Sequence, residues 1–201
     1  MKQVGIMGGT FDPPHIGHLM IAETVRETLS LEEVRFIPTG QISYKDSRET
    51  AEAQHRLEMV SLAIQDNPYF SVDGMEVERE GYSYTWQTLT ELRQKEPDTA
   101  FTFMVGADSL DYMERWVKPE IVFQMARIAV VLRPGFSLTA VEKKKKELEE
   151  RFSADIIIVP MPEMEISSTE IRHRISQGKS VRDQIPEKVE AYIRQHQLYR
   201  R

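Results

Sequence analysis

Val4-Gly5-Ile6-Met7-Gly8-Gly9-Thr10-Phe11-Asp12-Pro13-Pro14-His15-Ile16-Gly17-His18, near the start of the chain, decides how the rest of the sequence is read. A short apolar strand runs into a glycine pair, then a proline-stiffened turn, two histidines and a helical pattern. Gly8 and Gly9 let backbone N–H groups come close to a ligand. Pro13 and Pro14 each fix φ and bias the preceding residue toward extended geometry, so the turn is held stiffly before the histidines. Gly17 leaves room beside the helix start. His18 falls in the first turn, where unpaired N–H groups and the helix dipole attract anions. An imidazole there donates to phosphate oxygens without a permanent charge. The order strand, glycine turn, histidines, helix describes a phosphate site.

Outward from this stretch, strand-like runs at Val4–Met7, Val34–Ile37, Phe70–Val77, Phe101–Val105, Ile128–Leu132 and Ile156–Val159 are short and rich in β-branched or aromatic residues. Helical patterns lie between them, near Gly17–Thr28, Ala51–Gln65, Tyr84–Gln94, Ser109–Arg115, Leu138–Arg151 and Ser168–Gln177. Pro186–Gln197 reads as a closing helix with proline at its first turn. This alternation predicts an α/β fold, a Rossmann-like doubly wound parallel sheet with helices on both faces. Ligands in such sheets lie beyond the carboxyl ends of the strands, which is where Gly8 to His18 falls. One domain over residues 1–201 is expected, with a C-terminal helical part, residues 166–201, packed on it.

The chain has 201 residues, a net charge of −6 and no cysteine. That composition excludes disulfides, thiolate metal sites and a cysteine nucleophile. Mixed charges argue against a broad nucleic-acid surface. No run is long and apolar enough to cross a membrane, and the first residues read as a strand rather than a signal peptide, so a cytoplasmic protein is expected. Lys143–Lys146 stand among Glu142, Glu147, Glu149 and Glu150 and read as a solvated helix face. His15 and His18 lack further partners for a four-ligand metal site, since His55, His173 and His196 form no matching pair. Gly40–Thr50 reads as a polar substrate loop.

Two segments admit more than one use. Ser167 followed by Glu170 has capping-box spacing, while Ser168, Thr169 and Arg172 offer hydroxyls and a charged fork to phosphate. Gly106-Ala107-Asp108 comes directly after a strand, where Asp108 suits either a helix cap or a nucleotide contact.

His15-Ile16-Gly17-His18 after Gly8-Gly9-Thr10-Phe11-Asp12-Pro13 resembles the HxGH signature of the nucleotidyltransferase superfamily. Ile166-Ser167-Ser168-Thr169-Glu170-Ile171-Arg172 resembles its ISSTxxR signature. Over nearly the whole chain the sequence is similar to the bacterial nicotinate-nucleotide adenylyltransferases, which join nicotinate mononucleotide and ATP into deamido-NAD and pyrophosphate. The resemblance implies catalytic or orienting roles for His18, His15, Thr10 and Arg172. It implies ATP contacts from Gly8, Gly9, Phe11, Gly106, Asp108, Arg133, Ser167, Ser168 and Thr169. Thr85, in a segment like the family's YTxxTL motif, and Trp116 with nearby Tyr112 are expected to hold the pyridine carboxylate and ring; Lys45 is expected at the mononucleotide phosphate. Where many members read Pro-Pro-His-Lys, this chain reads Ile42-Ser43-Tyr44-Lys45. Magnesium is expected to accompany ATP, bound mainly by phosphate and water, with no dedicated protein metal site. The expected partners are ATP and nicotinate mononucleotide, with a homodimer compatible with the helix faces. A phosphopantetheine adenylyltransferase and a non-catalytic nucleotide-binding regulatory domain are the alternatives.

Overall fold

A computed structural model describes residues 1–41, 50–132, 135–162 and 165–200. Along the chain run β1 (Lys2–Gly9), α1 (Ile16–Thr28), β2 (Glu33–Pro38), α2 (Ala53–Ile64), β3 (Phe70–Val72) and α3 (Met75–Glu78). Then come α4 (Thr85–Lys95), β4 (Thr99–Gly106), α5 (Ala107–Leu110), a 3-10 turn at Met113–Arg115 and α6 (Pro119–Met125). β5 (Arg127–Leu132), α7 (Leu138–Phe152), β6 (Ile156–Pro160), α8 (Ser168–Ser176) and α9 (Glu187–Gln195) complete the described elements. The strands form one parallel sheet in the order β3-β2-β1-β4-β5-β6, the doubly wound arrangement expected from the alternation. Val4 stands opposite Phe101, Met104 opposite Ala129 and Val130 opposite Ile158. No described helix is long and apolar enough to cross a membrane.

Contacts gather the chain into two compact units. The first comprises Met1–Met7, Ile21–Val34 and Tyr84–Met164. Its strands are apolar along their length because both sheet faces are covered: Val4, Ile6, Ile128, Ala129 and Val130 are fully buried. Gly5 is needed for closeness, since a methyl there would stand 2.6 Å from the Met104 Cε and 2.9 Å from the Leu31 Cδ1. Ser137 caps α7 by accepting from the Ala140 N–H, and the helix turns Val141 and Leu148 inward. Its charged face is solvated as expected at Lys143 and Lys146, while the Lys144 ammonium reaches the Glu114 carboxylate at 2.8 Å.

The second unit comprises Gly8–Met20, Arg35–Ser83 and Glu165–Arg201. Its core joins Met59 of α2 to Ile171 of α8, to Val181 and Ile185, and to Val189 and Ile193 of α9. The spacing of Val189 and Ile193 puts both on one helical face. Gly40 admits no side chain, because a Cβ there would lie 2.0 Å from the Glu76 carbonyl oxygen.

Three boundaries differ from the sequence reading. The strand expected over Phe70–Val77 ends at Val72, because the Asp73 carboxylate accepts from the Met75 N–H at 2.9 Å and starts α3. The helix expected over Ser109–Arg115 is divided into α5 and the 3-10 turn. α6, with Pro119 in its first turn, has no counterpart among the expected helices.

Ile171 is fully buried and immediately precedes Arg172. Ile171→Ala is expected to lower stability by about 2–5 kcal/mol through the lost burial and the cavity left behind, measured by urea unfolding.

Candidate active site

The turn after β1 is set by its own side chains. Phe11 adopts φ +50°, a left-handed conformation uncommon outside glycine. Packing holds it there: the Phe11 ring is buried, 5.0 Å edge-on from the His18 ring and 5.8 Å from Phe36. Helix α1 begins at Ile16, so His15 is the N-cap and His18 the third helical residue. The His15 carbonyl accepts from the N–H groups of His18 and Leu19. In return the His15 N–H donates to the His18 Nδ1 at 3.1 Å, the part a Glu or Gln plays in a capping box. A nitrogen that accepts from an N–H carries no proton of its own. The ring proton of His18 is therefore on Nε2, which makes Nε2 a hydrogen-bond donor. The rings of His15 and His18 stack at 3.6 Å, which fixes the orientation of both.

Beneath the turn lies a buried polar cluster. Arg56 on α2, 1% exposed, donates to three carbonyls: Ala51 at 3.0 Å, Thr10 at 2.8 Å and Gly40 at 2.8 Å. Burial lowers its pKa from the usual arginine value, opposed by the neighbouring Asp12 and Tyr199. Asp12 is 3% exposed. Its Oδ1 accepts from the Ala51 N–H at 3.0 Å and the Tyr199 hydroxyl at 2.6 Å. Burial, then the Asp12 charge and its hydrogen bond, push the Tyr199 phenol well above its ordinary value, so it stays protonated and donates.

The ISST segment meets the first motif here. Ser167 accepts from the Glu170 N–H at 3.2 Å and caps α8. The Ser168 hydroxyl donates to the Pro13 carbonyl at 2.9 Å across 155 residues of sequence. Arg172 Nη1 donates to the Asp12 carbonyl at 2.8 Å and stands 3.6 Å from the Asp12 Oδ2. Arg172 Nη2 lies 3.5 Å from the Thr169 Oγ1. The Ser168 hydroxyl proton is thus engaged, and what this residue offers a ligand is its backbone N–H at the start of α8.

Sequence reasoning gave Asp12, Arg56 and Tyr199 no role. Asp12 sat inside the motif, and Arg56 among apolar neighbours on α2 was the available signal. Nothing local marked Tyr199.

In the first unit, Gly106 closes β4 and Asp108 lies in the first turn of α5. A Cβ at Gly106 would fall 2.4 Å from the Asp108 Oδ1, so the carboxylate folds back over that glycine. Thr85 is the first residue of α4, whose preceding Tyr84 N–H donates to the Gln87 Oε1 at 3.2 Å. Trp116 comes after the 3-10 turn and meets Phe103 edge-on at 6.3 Å, leaving it half-buried. Tyr112 is exposed. Lys45 and Arg133 lie outside the described residues.

The family model described as cytidylyltransferase-like matches residues 6–174, a span holding both signatures. The chain belongs to the cytidylyltransferase-like family. Among its relatives is a probable nicotinate-nucleotide adenylyltransferase of Lachnoclostridium phytofermentans, 45% identical over 99% of this chain and 100% of the relative. A second, bearing the same name in Salinibacter ruber, is 43% identical over 98% of this chain and 97% of its own length. A similar fold is seen in the Plasmodium falciparum nicotinic acid mononucleotide adenylyltransferase complexed with NaAD. That structure has a TM-score of 0.81 and 20% identity, and the match covers 99% of this chain and 98% of that one.

Arg56→Met keeps an apolar stem but abandons three carbonyls, one buried and two part-buried. It is expected to cost roughly 3 kcal/mol of stability, at about 1 kcal/mol or more for each unsatisfied acceptor. Chemical denaturation checks this; an unchanged midpoint would mean that water takes the guanidinium's place.

Proposed function

We propose that this protein transfers AMP from ATP to nicotinate mononucleotide, giving deamido-NAD and pyrophosphate, as an enzyme of NAD biosynthesis. The observation that carries the reading is the junction of the two signatures. The Ser168–Pro13 and Arg172–Asp12 bonds bring the start of α8 to the turn that holds His18. Two helix starts, an Nε2–H donor and a guanidinium in one unit form an apparatus for a polyphosphate.

In this mechanism a phosphate oxygen of the mononucleotide attacks the α-phosphorus in line. The new P–O bond forms as the bond from the α-phosphorus to the bridging oxygen breaks, and pyrophosphate leaves. No side-chain nucleophile takes part; the protein positions and neutralises. His18 donates from Nε2 to the charge that grows on the α-phosphate. His15 holds His18 through the backbone bond and the ring stack, and Thr10 with Gly8, Gly9 and Phe11 shapes the turn around the phosphates. Arg172, with the N–H groups of Ser168 and Thr169 behind the Ser167 cap, receives the departing pair of phosphates. Gly106 and Asp108 serve the adenosine end of ATP, and Arg133 is a phosphate contact. Thr85 meets the nicotinate carboxylate while Trp116 and Tyr112 offer flat faces to the pyridine, and Lys45 meets the mononucleotide phosphate as a point charge. Magnesium arrives with ATP as part of that substrate, coordinated by phosphate oxygens and water.

His18→Ala is expected to lower kcat by about 10²–10³-fold, the usual loss of a preorganised transition-state donor, with little change in KM for ATP. Steady-state kinetics with pyrophosphate detection checks it; an unchanged kcat would remove His18 from the mechanism. The same assay compares nicotinate mononucleotide, nicotinamide mononucleotide and phosphopantetheine. Preference for the first is the expected result, and release only with the last would reassign the acceptor.

A further inference from the structure

Asp12 and Arg172 present a difficulty for this site. A buried carboxylate beside the guanidinium that is to meet phosphate is a competitor for it, since a tight bidentate pair would neutralise Arg172 and turn its fork inward. The structure avoids that pairing. Arg172 Nη1 is directed to the Asp12 backbone carbonyl at 2.8 Å, and the nearer carboxylate oxygen, Oδ2, remains at 3.6 Å. The other oxygen, Oδ1, is held by the Tyr199 hydroxyl at 2.6 Å and the Ala51 N–H at 3.0 Å. These two donors are what the carboxylate would have to give up to turn toward Arg172. The Ala51 bond comes from backbone close to Arg56, whose Nε fixes the Ala51 carbonyl. The Tyr199 bond comes from a residue whose phenol remains protonated because burial and Asp12 both disfavour the phenolate.

We propose that Tyr199 is a positioning residue for pyrophosphate: by holding the Asp12 carboxylate it keeps the Arg172 guanidinium available to the departing phosphates. This rests on the role assigned to Arg172 above. Tyr199 itself touches no reacting atom. Its effect passes through one carboxylate, and it is specific to the phosphate end of the reaction.

The test is calorimetric binding of pyrophosphate to the full chain, paired with KM values for ATP and for nicotinate mononucleotide. Tyr199→Phe keeps the ring and removes the hydroxyl. It is expected to weaken pyrophosphate binding and raise the KM for ATP by roughly tenfold, the scale of a hydrogen bond to a charged group, leaving the KM for nicotinate mononucleotide unchanged. Tyr192→Phe is the control for loosening of the same C-terminal region; its hydroxyl pairs with the His55 Nδ1 at 2.8 Å, and its loss is expected to leave pyrophosphate binding intact. In an Asp12→Asn background, where no carboxylate competes for Arg172, adding Tyr199→Phe is expected to change pyrophosphate binding by less than about twofold. Equal factors with and without the Asp12 carboxylate would overturn the proposal, as would a Tyr192→Phe effect of the same size or a Tyr199→Phe protein that binds pyrophosphate normally. Arg172→Ala separates the two readings. If it binds pyrophosphate as the parent does, the role of Arg172 fails and the Tyr199 proposal with it; if only Arg172→Ala binds weakly, the Tyr199 proposal alone fails.

Discussion

The buried guanidinium of Arg56 is the constraint on which the second unit depends. Its three donors end on carbonyls of Thr10, Gly40 and Ala51, which belong to the turn after β1, the segment after β2 and the approach to α2. These carbonyls lie in irregular backbone outside the described helices and strands, and the loss of a hydrogen bond to a carbonyl shielded from water is costly. A single planar fork satisfies all three and ties three stretches of chain to one rigid group. Asp12 adds the opposite charge nearby, and that charge lets the cation remain in a dry place.

Around that anchor the chemistry of the turn follows from backbone rather than from side-chain charge. His18 is oriented by the His15 N–H and by the stacked His15 ring, so the capping interaction that starts α1 also sets the His18 tautomer. Helix initiation and the orientation of the His18 ring thus draw on the same hydrogen bond. α8 is also started by a cap, the Ser167 hydroxyl accepting from the Glu170 N–H.

The sheet was legible because its strands are covered on both faces and so read as apolar runs, as at Ile128 to Leu132. What local sequence did not reveal were breaks decided by single bonds, such as the Asp73 carboxylate that ends β3 in a segment still rich in apolar residues. α6 escaped because its seven residues are too few for a helical period to stand out. In the site, the glycines, histidines and serines of the two signatures were readable as types suited to phosphate. Their supports were not: Asp12 depends on Tyr199, 187 positions away, and a tyrosine with a distant partner looks like any other half-buried tyrosine.

These long separations also bear on how the protein is made. Residues 8–18 leave the ribosome early, yet the bonds that complete their surroundings come from Ser168, Arg172 and Tyr199, at separations of 155, 160 and 187 positions. Until those residues emerge, the Asp12 carboxylate has the Ala51 N–H but not the Tyr199 hydroxyl, and the Pro13 carbonyl lacks the Ser168 hydroxyl. Non-local closures of this kind are slow and form late. The support of the glycine turn is therefore complete only once the chain beyond α9, at Tyr199, has been made.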